Sequence, residues 1–178
     1  MEPRKYRSTD DQRSIIVRKA TKRDIPRYMQ NPKAVASEEV YLGTERVTQK
    51  ARKIHLDRLK NKKNLTIVAL VDGKIVGSLT LWWSGLKKMK HVRELGILVI
   101  DGYREIGVGW ALMDYAIRWV KRQNEIEKVV LEVFSPNKRA IHLYKKFGFK
   151  IEGVLKDEHI LKGEYVDEIR MALFLKRQ

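Results

Sequence analysis

Cysteine is absent from the 178 residues, which excludes disulfides, thiolate zinc sites and any mechanism that passes through an acyl-cysteine. Histidine is scarce. The four present, His55, His91, His142 and His159, never stand at helical or hairpin ligand spacing, so no catalytic metal is expected. Nothing approaches a run of about 18 apolar residues, and residues 1–13 alternate charges without the apolar centre of a signal peptide. We therefore expect no membrane span and a cytoplasmic location. With only 11 glycines and 4 prolines the chain is neither fibrous nor disordered in composition.

Charge is what the sequence has in excess. Lys and Arg number 38 against 22 Asp and Glu, a net charge of +16. Such a surface favours polyanions: nucleic acid, an anionic membrane face or a phosphate-rich cofactor. Two basic runs, Lys60-Asn61-Lys62-Lys63 and Lys87-Lys88-Met89-Lys90, are the candidate patches for RNA or ribosome contact. The abundance of Lys, Glu, Arg and Ile is thermophile-like. At this length one domain over residues 1–178 is expected, with residues 1–13 a flexible charged lead-in.

Periodicity supplies the elements. Ile15, Ile16 and Val17 read as a short strand, and Thr21 to Asp24, with Pro26 close behind, as a helix start. From Thr44 to Lys60, Val47, Ala51 and Ile54 fall on one helical face, with Leu56 and Leu59 beside them. Leu65 to Val71 and Lys74 to Trp83 form a hairpin across Asp72-Gly73. The strand Val92 to Ile100 contains Glu94 and Gly96, the glycine suggesting a bulge. Residues 101–109, with three glycines, then open into a helix bearing Leu112, Met113, Ala116, Ile117 and Val120. Lys128 to Phe134 reads as a strand buried on both faces. A helix carrying Ala140, Leu143, Tyr144 and Phe147 follows and stops at Gly148. Two closing strands, Phe149 to Val154 and Val166 to Phe174, are joined by a polar segment from Lys156 to Tyr165. Trp82 and Trp83 are consecutive in a strand, so one should face core and the other surface or cleft. His91 and His159 read as loop residues, and His142 as a solvated one.

Strand, glycine loop and helix in that order make an anion site, because free N–H groups and the helix dipole meet at the loop. The loop Arg104-x-x-Gly107-x-Gly109, followed by Asn137-x-x-Ala140-x-x-Leu143-Tyr144-x-x-x-Gly148-Phe149, resembles the Gcn5-related N-acetyltransferase (GNAT) family from about residue 14 to 175. The resemblance implies an α/β (α+β) fold: a mixed, mostly antiparallel twisted sheet of six to seven strands, about four helices, and two central strands that splay apart. It implies acetyl-CoA as cosubstrate and no metal. Pantetheine would run along Ile97, Leu98 and Val99, the pyrophosphate would lie on the backbone of Arg104, Glu105, Ile106, Gly107, Val108, Gly109 and Trp110, and Asn137 and Tyr144 would line the reactive end. Glu105 and Ile106 depart from the family's loop, and a carboxylate beside a pyrophosphate weakens binding unless it points outward.

Acetyl transfer to an amine needs a proton acceptor, a stabilised oxyanion and a proton for the departing thiolate. The resemblance assigns the last role to Tyr144. Glu94 and Glu132 compete for the first, and an amide between Ile97 and Val99 suits the second. The resemblance implies an amine acceptor, with small amino acids and protein N-termini ranked ahead of polyamines. The alternative is a non-catalytic acetyl-CoA- or RNA-binding module on the same fold. Exposed edge strands are consistent with a homodimer.

Overall fold

The computed structural model describes residues 1–10, 13–24 and 49–175. Eight strands, β1 (Arg4–Arg7), β2 (Ser14–Lys19), β3 (Leu65–Val71), β4 (Lys74–Trp82), β5 (Val92–Val99), β6 (Lys128–Phe134), β7 (Lys150–Leu161) and β8 (Glu164–Phe174), form one mixed sheet in the order β1-β2-β3-β4-β5-β6-β8-β7. Three helices accompany it among the described residues: α1 (Gln49–Lys60), α2 (Val108–Val120) and α3 (Lys138–Lys146). The helix expected to begin near Thr21 lies outside the described residues beyond Asp24, as does residue 47 of the next.

The sheet exceeds the expected six to seven strands because the lead-in is not loose. Arg4–Arg7 pairs antiparallel with β2. Tyr6 fixes it, donating a hydrogen bond to Asp114 Oδ2 at 2.9 Å and meeting Trp110 edge-on, both on α2. Burial and that carboxylate push the Tyr6 phenol up to about 12.

One face of the sheet packs on α2. Ile15, Val17, Ile67, Leu79, Leu81, Leu112, Met113 and Ala116 belong to a single buried cluster, which Tyr144 of α3 joins. The opposite face is covered by Leu56 and Leu59 of α1 against Val68. Ile54, expected on that buried face, is 43% exposed; the stripe is set by Leu56 and Leu59 instead. Asp72 and Gly73 both take positive φ, the two-residue turn their sequence promised. A second such turn, Lys162-Gly163, closes β7 onto β8. The segment expected to join them as a polar loop is therefore mostly strand, and His159, paired with Val166, is a strand residue.

The arrangement that positions the site is the β5–β6 pair. It is parallel, and pairing covers only Val92 to Glu94 against Lys128 to Val130. Past Glu94 the strands part. No bulge is needed at Gly96: the β4–β5 register runs unbroken from Gly77–Val99 to Trp82–Glu94. Gly96 is there because Trp82 fills the adjoining space, and a Cβ would approach its ring to 3.3 Å.

Candidate active site

Where β5 and β6 diverge, the sheet opens into a cleft of about 800 Å³. Strand alternation directs the free backbone groups into it. The amide of Ile100 donates to Val76 O on β4, and Val99 O accepts from Arg104 Nε on the other side. By alternation the amides of Ile97 and Val99 face the gap, where β6 no longer supplies acceptors.

At one end of the cleft the glycine loop turns its donors inward. Gly107, at φ 94°, is the N-cap of α2 and supplies no side-chain cap. The first amide of the helix to find a backbone acceptor is Ala111, bonded to Gly107 O, which leaves those of Val108, Gly109 and Trp110 for a ligand. Thr9, which also lines the cleft, ties down the loop's carbonyls: it donates through its backbone N–H to Ile106 O at 3.2 Å and through its hydroxyl to Glu105 O at 3.0 Å. Arg104 and Arg139 also line this end. Burial, and then the nearby Arg139 charge, hold Arg104 below the usual guanidinium range. Two guanidiniums beside free helix-start amides make a donor set that fits a pyrophosphate.

Glu105, the suspect residue of the loop, stands at the rim of the cleft with its side chain largely in solvent. Its side chain is 77% exposed and lies 3.7 Å from Arg139 Nη1. The exit costs some strain, since Glu105 adopts φ 68° without being glycine. Ile106 and Val108 turn their side chains into the core and, like Leu98, are not among the cleft-lining residues, so Val108 offers the cleft only its backbone amide. Ile97, Val99, Arg104, Glu105, Gly107, Gly109, Trp110, Asn137, Tyr144, Glu94 and Glu132 all line it.

Tyr144 is 6% exposed, and no described residue hydrogen-bonds its hydroxyl. Burial pushes the phenol well above its ordinary range, and it is protonated at neutral pH. Asn137 caps α3, accepting from Ala140 N at 3.2 Å.

The far end carries the carboxylates. Glu94 is half-buried beneath Trp82, over which Arg58 stacks at 3.8 Å. Burial holds Arg58 below the usual guanidinium range, with Glu94 pulling the other way. Glu132 accepts from Arg170 at 2.8 Å across the β6–β8 pair. Phe134, His159 and Glu168 are among the cleft residues that escaped the sequence reading. The His159 ring meets Phe134 at 4.6 Å and bonds Glu168 at 2.9 Å. They come from three strands, Phe134 from β6, His159 from β7 and Glu168 from β8, so only the sheet order brings them together. Among the described residues no group of three His, Asp or Glu could hold a metal, and no helix there is long and apolar enough to cross a membrane.

An open mixed sheet whose two central strands part beside a glycine-loop helix start is also the architecture of known acetyltransferases. The family model described as "Acetyltransferase (GNAT) family" matches residues 32–149, and the chain belongs to that family. It is 35% identical over 159 residues to the L-amino acid N-acetyltransferase AaaT of Escherichia coli (strain K12), covering 89% of this chain and 96% of that protein. It is 37% identical over 109 residues to an N-alpha-acetyltransferase of Sulfurisphaera tokodaii, covering 57% of this chain and 65% of that protein. A GNAT superfamily phosphinothricin acetyltransferase from Sinorhizobium meliloti, solved in complex with AcCoA, superposes with a TM-score of 0.79 at 17% identity, over 89% of this chain and 87% of that one. The chain is thus an N-acetyltransferase that uses acetyl-CoA.

Proposed function

We infer that the chain acetylates the primary amine of a small amino acid by direct attack in a ternary complex. Acetyl-CoA supplies the activated acetyl group. The observation that carries the reading is the convergence, in one cleft, of the unpartnered Tyr144 hydroxyl, the gap-facing amides of β5 and Glu94. Glu94 takes the amine proton as the nitrogen attacks. The Ile97 or Val99 amide donates to the carbonyl oxygen as it gains charge. Tyr144 gives its proton to the departing sulfur. With no cysteine in the chain, a thiol-held acetyl step has no residue to use. The acceptor class rests on the likeness to the amino-acid enzyme, which spans nearly its full length; a protein N-terminus is the neighbouring choice.

A polyamine is the second reading, because Glu94, Glu132 and Glu168 all line the far end of the cleft. Two of the three are spent, Glu132 on Arg170 and Glu168 on His159. That leaves Glu94 as the main local attraction for a cation, set against a chain of net charge +16. The test is thiol release from acetyl-CoA with free amino acids, spermidine and short peptides, beside a no-acceptor blank. Release above blank with amino acids alone supports the reading; release with spermidine alone replaces it.

A further inference from the structure

The two basic runs, 24 residues apart from Lys63 to Lys87, are not two patches. A buried arginine joins them. Arg93, 1% exposed, donates through Nε to Lys63 O at 3.0 Å and through Nη1 to Lys90 O at 2.8 Å and Val92 O at 2.9 Å. Its own charge is met by Glu125 at 2.8 Å. Trp83 makes the second join. Its amide donates to Asn64 Oδ1 at 3.0 Å, its indole N–H donates to Leu86 O at 3.1 Å, and Lys63 Nζ lies 4.6 Å over its ring. A short 3₁₀ turn, Lys87–Met89, then holds the second run in place.

The result is one surface on which Lys62, Lys63, Lys87, Lys88 and Lys90 stand exposed, none in an ion pair among the described residues. Exposed lysines outside ion pairs are common in this chain; what sets these apart is the shared frame of backbone hydrogen bonds from Arg93 and Trp83 that holds the two segments together. We propose that this surface, built from the 60–64 and 83–90 segments and braced by Arg93, binds the phosphate backbone of single-stranded RNA. Separate point charges held by backbone hydrogen bonds suit a row of phosphates, each contact releasing condensed counterions. A membrane would ask for more apolar area than the single exposed Leu86 offers. The surface is separate from the acetyl-transfer cleft, so the proposal stands whatever the acceptor is.

The test uses the full chain, a fluorescein-labelled RNA of about 20 nucleotides, and salt from about 50 to 200 mM. The patch variant is Lys62→Gln/Lys63→Gln/Lys88→Gln. The control, Lys5→Gln/Lys74→Gln/Lys162→Gln, removes as many charges from β1 and from the β3–β4 and β7–β8 turns. Melting temperature and acetyl-CoA affinity confirm that both fold. The expected result is at least tenfold weaker binding for the patch variant and under about twofold for the control. The slope of log K against log salt should flatten by about 2 in the patch variant, three contacts at about 0.7 each. Equal losses in the two variants would reduce the effect to net charge and overturn the proposal. So would an unchanged RNA affinity, or tighter binding of the wild-type chain to phosphatidylserine vesicles than to RNA.

Discussion

Arg170 holds Glu132 by a 2.8 Å hydrogen bond, while Glu94, the other carboxylate considered as base, pairs in register with Trp82 and lines the mouth of the strand gap. A base must be free to take a proton in the geometry of attack. Glu94→Gln should therefore lower kcat about 10²-fold and remove the acidic limb of the kcat/KM profile. Glu132→Gln should leave that limb in place and act mainly on KM. The opposite pattern transfers the role to Glu132.

Tyr144 carries its proton at neutral pH as any phenol does, and burial pushes it further above its ordinary range. Replacing it with Phe keeps the ring contact with Phe149 and removes only the hydroxyl. Tyr144→Phe should reduce kcat about 10²-fold and change acetyl-CoA affinity less than about twofold, measured by calorimetry. Unchanged turnover would sink the general-acid assignment.

Glu105 sits at positive φ and draws on Arg139. Glu105→Gly should relieve about 1 kcal/mol of left-handed strain, partly offset by the entropy of glycine, and release Arg139 toward a bound anion. Acetyl-CoA should bind several-fold tighter, with a melting temperature equal or slightly higher. Weaker binding would mean that the carboxylate orders the loop.

Asp24, 4% exposed, accepts from both Arg18 Nη1 and Nη2 and from the amide and hydroxyl of Thr21. Arg18, followed by the Thr21 donors, holds its carboxyl well below the usual range, against the pull of burial. Because the folded form prefers the ionised state, this stabilisation is complete above the unfolded carboxylate range and is lost as pH falls from about 4. Asp24→Asn should cost about 2 kcal/mol at pH 7, read from urea unfolding, and the difference from wild type should shrink toward pH 3. A constant difference across that range would assign the loss to packing.

Much of this architecture could be read in advance. Asp72-Gly73, Gly148 and the apolar face of α2 carry local signals strong enough to stand alone, and the glycine loop through Gly107 and Gly109 marked one end of the cleft. Other parts are written only in tertiary contacts. Arg4–Arg7 has the composition of a solvated tail, and pairing with β2 together with the Tyr6 contacts to Asp114 and Trp110 makes it a strand. Gly96 looks like a bulge until the Trp82 ring is placed beside it. His159 is unreadable because β7 is an edge strand, exposed along most of its length, with no apolar alternation to declare it. The direction of the Glu105 side chain, on which cofactor binding turned, depends on Arg139 from an element 34 residues away.

The hold of Thr9 on the carbonyls of Glu105 and Ile106 changes how the chain should be handled at the bench. A segment that looks dispensable in the sequence braces the glycine loop, so trimming residues 1–9 to tidy an expression clone would release the two carbonyls that Thr9 holds. Shortened versions should be judged by acetyl-CoA titration before their turnover is compared.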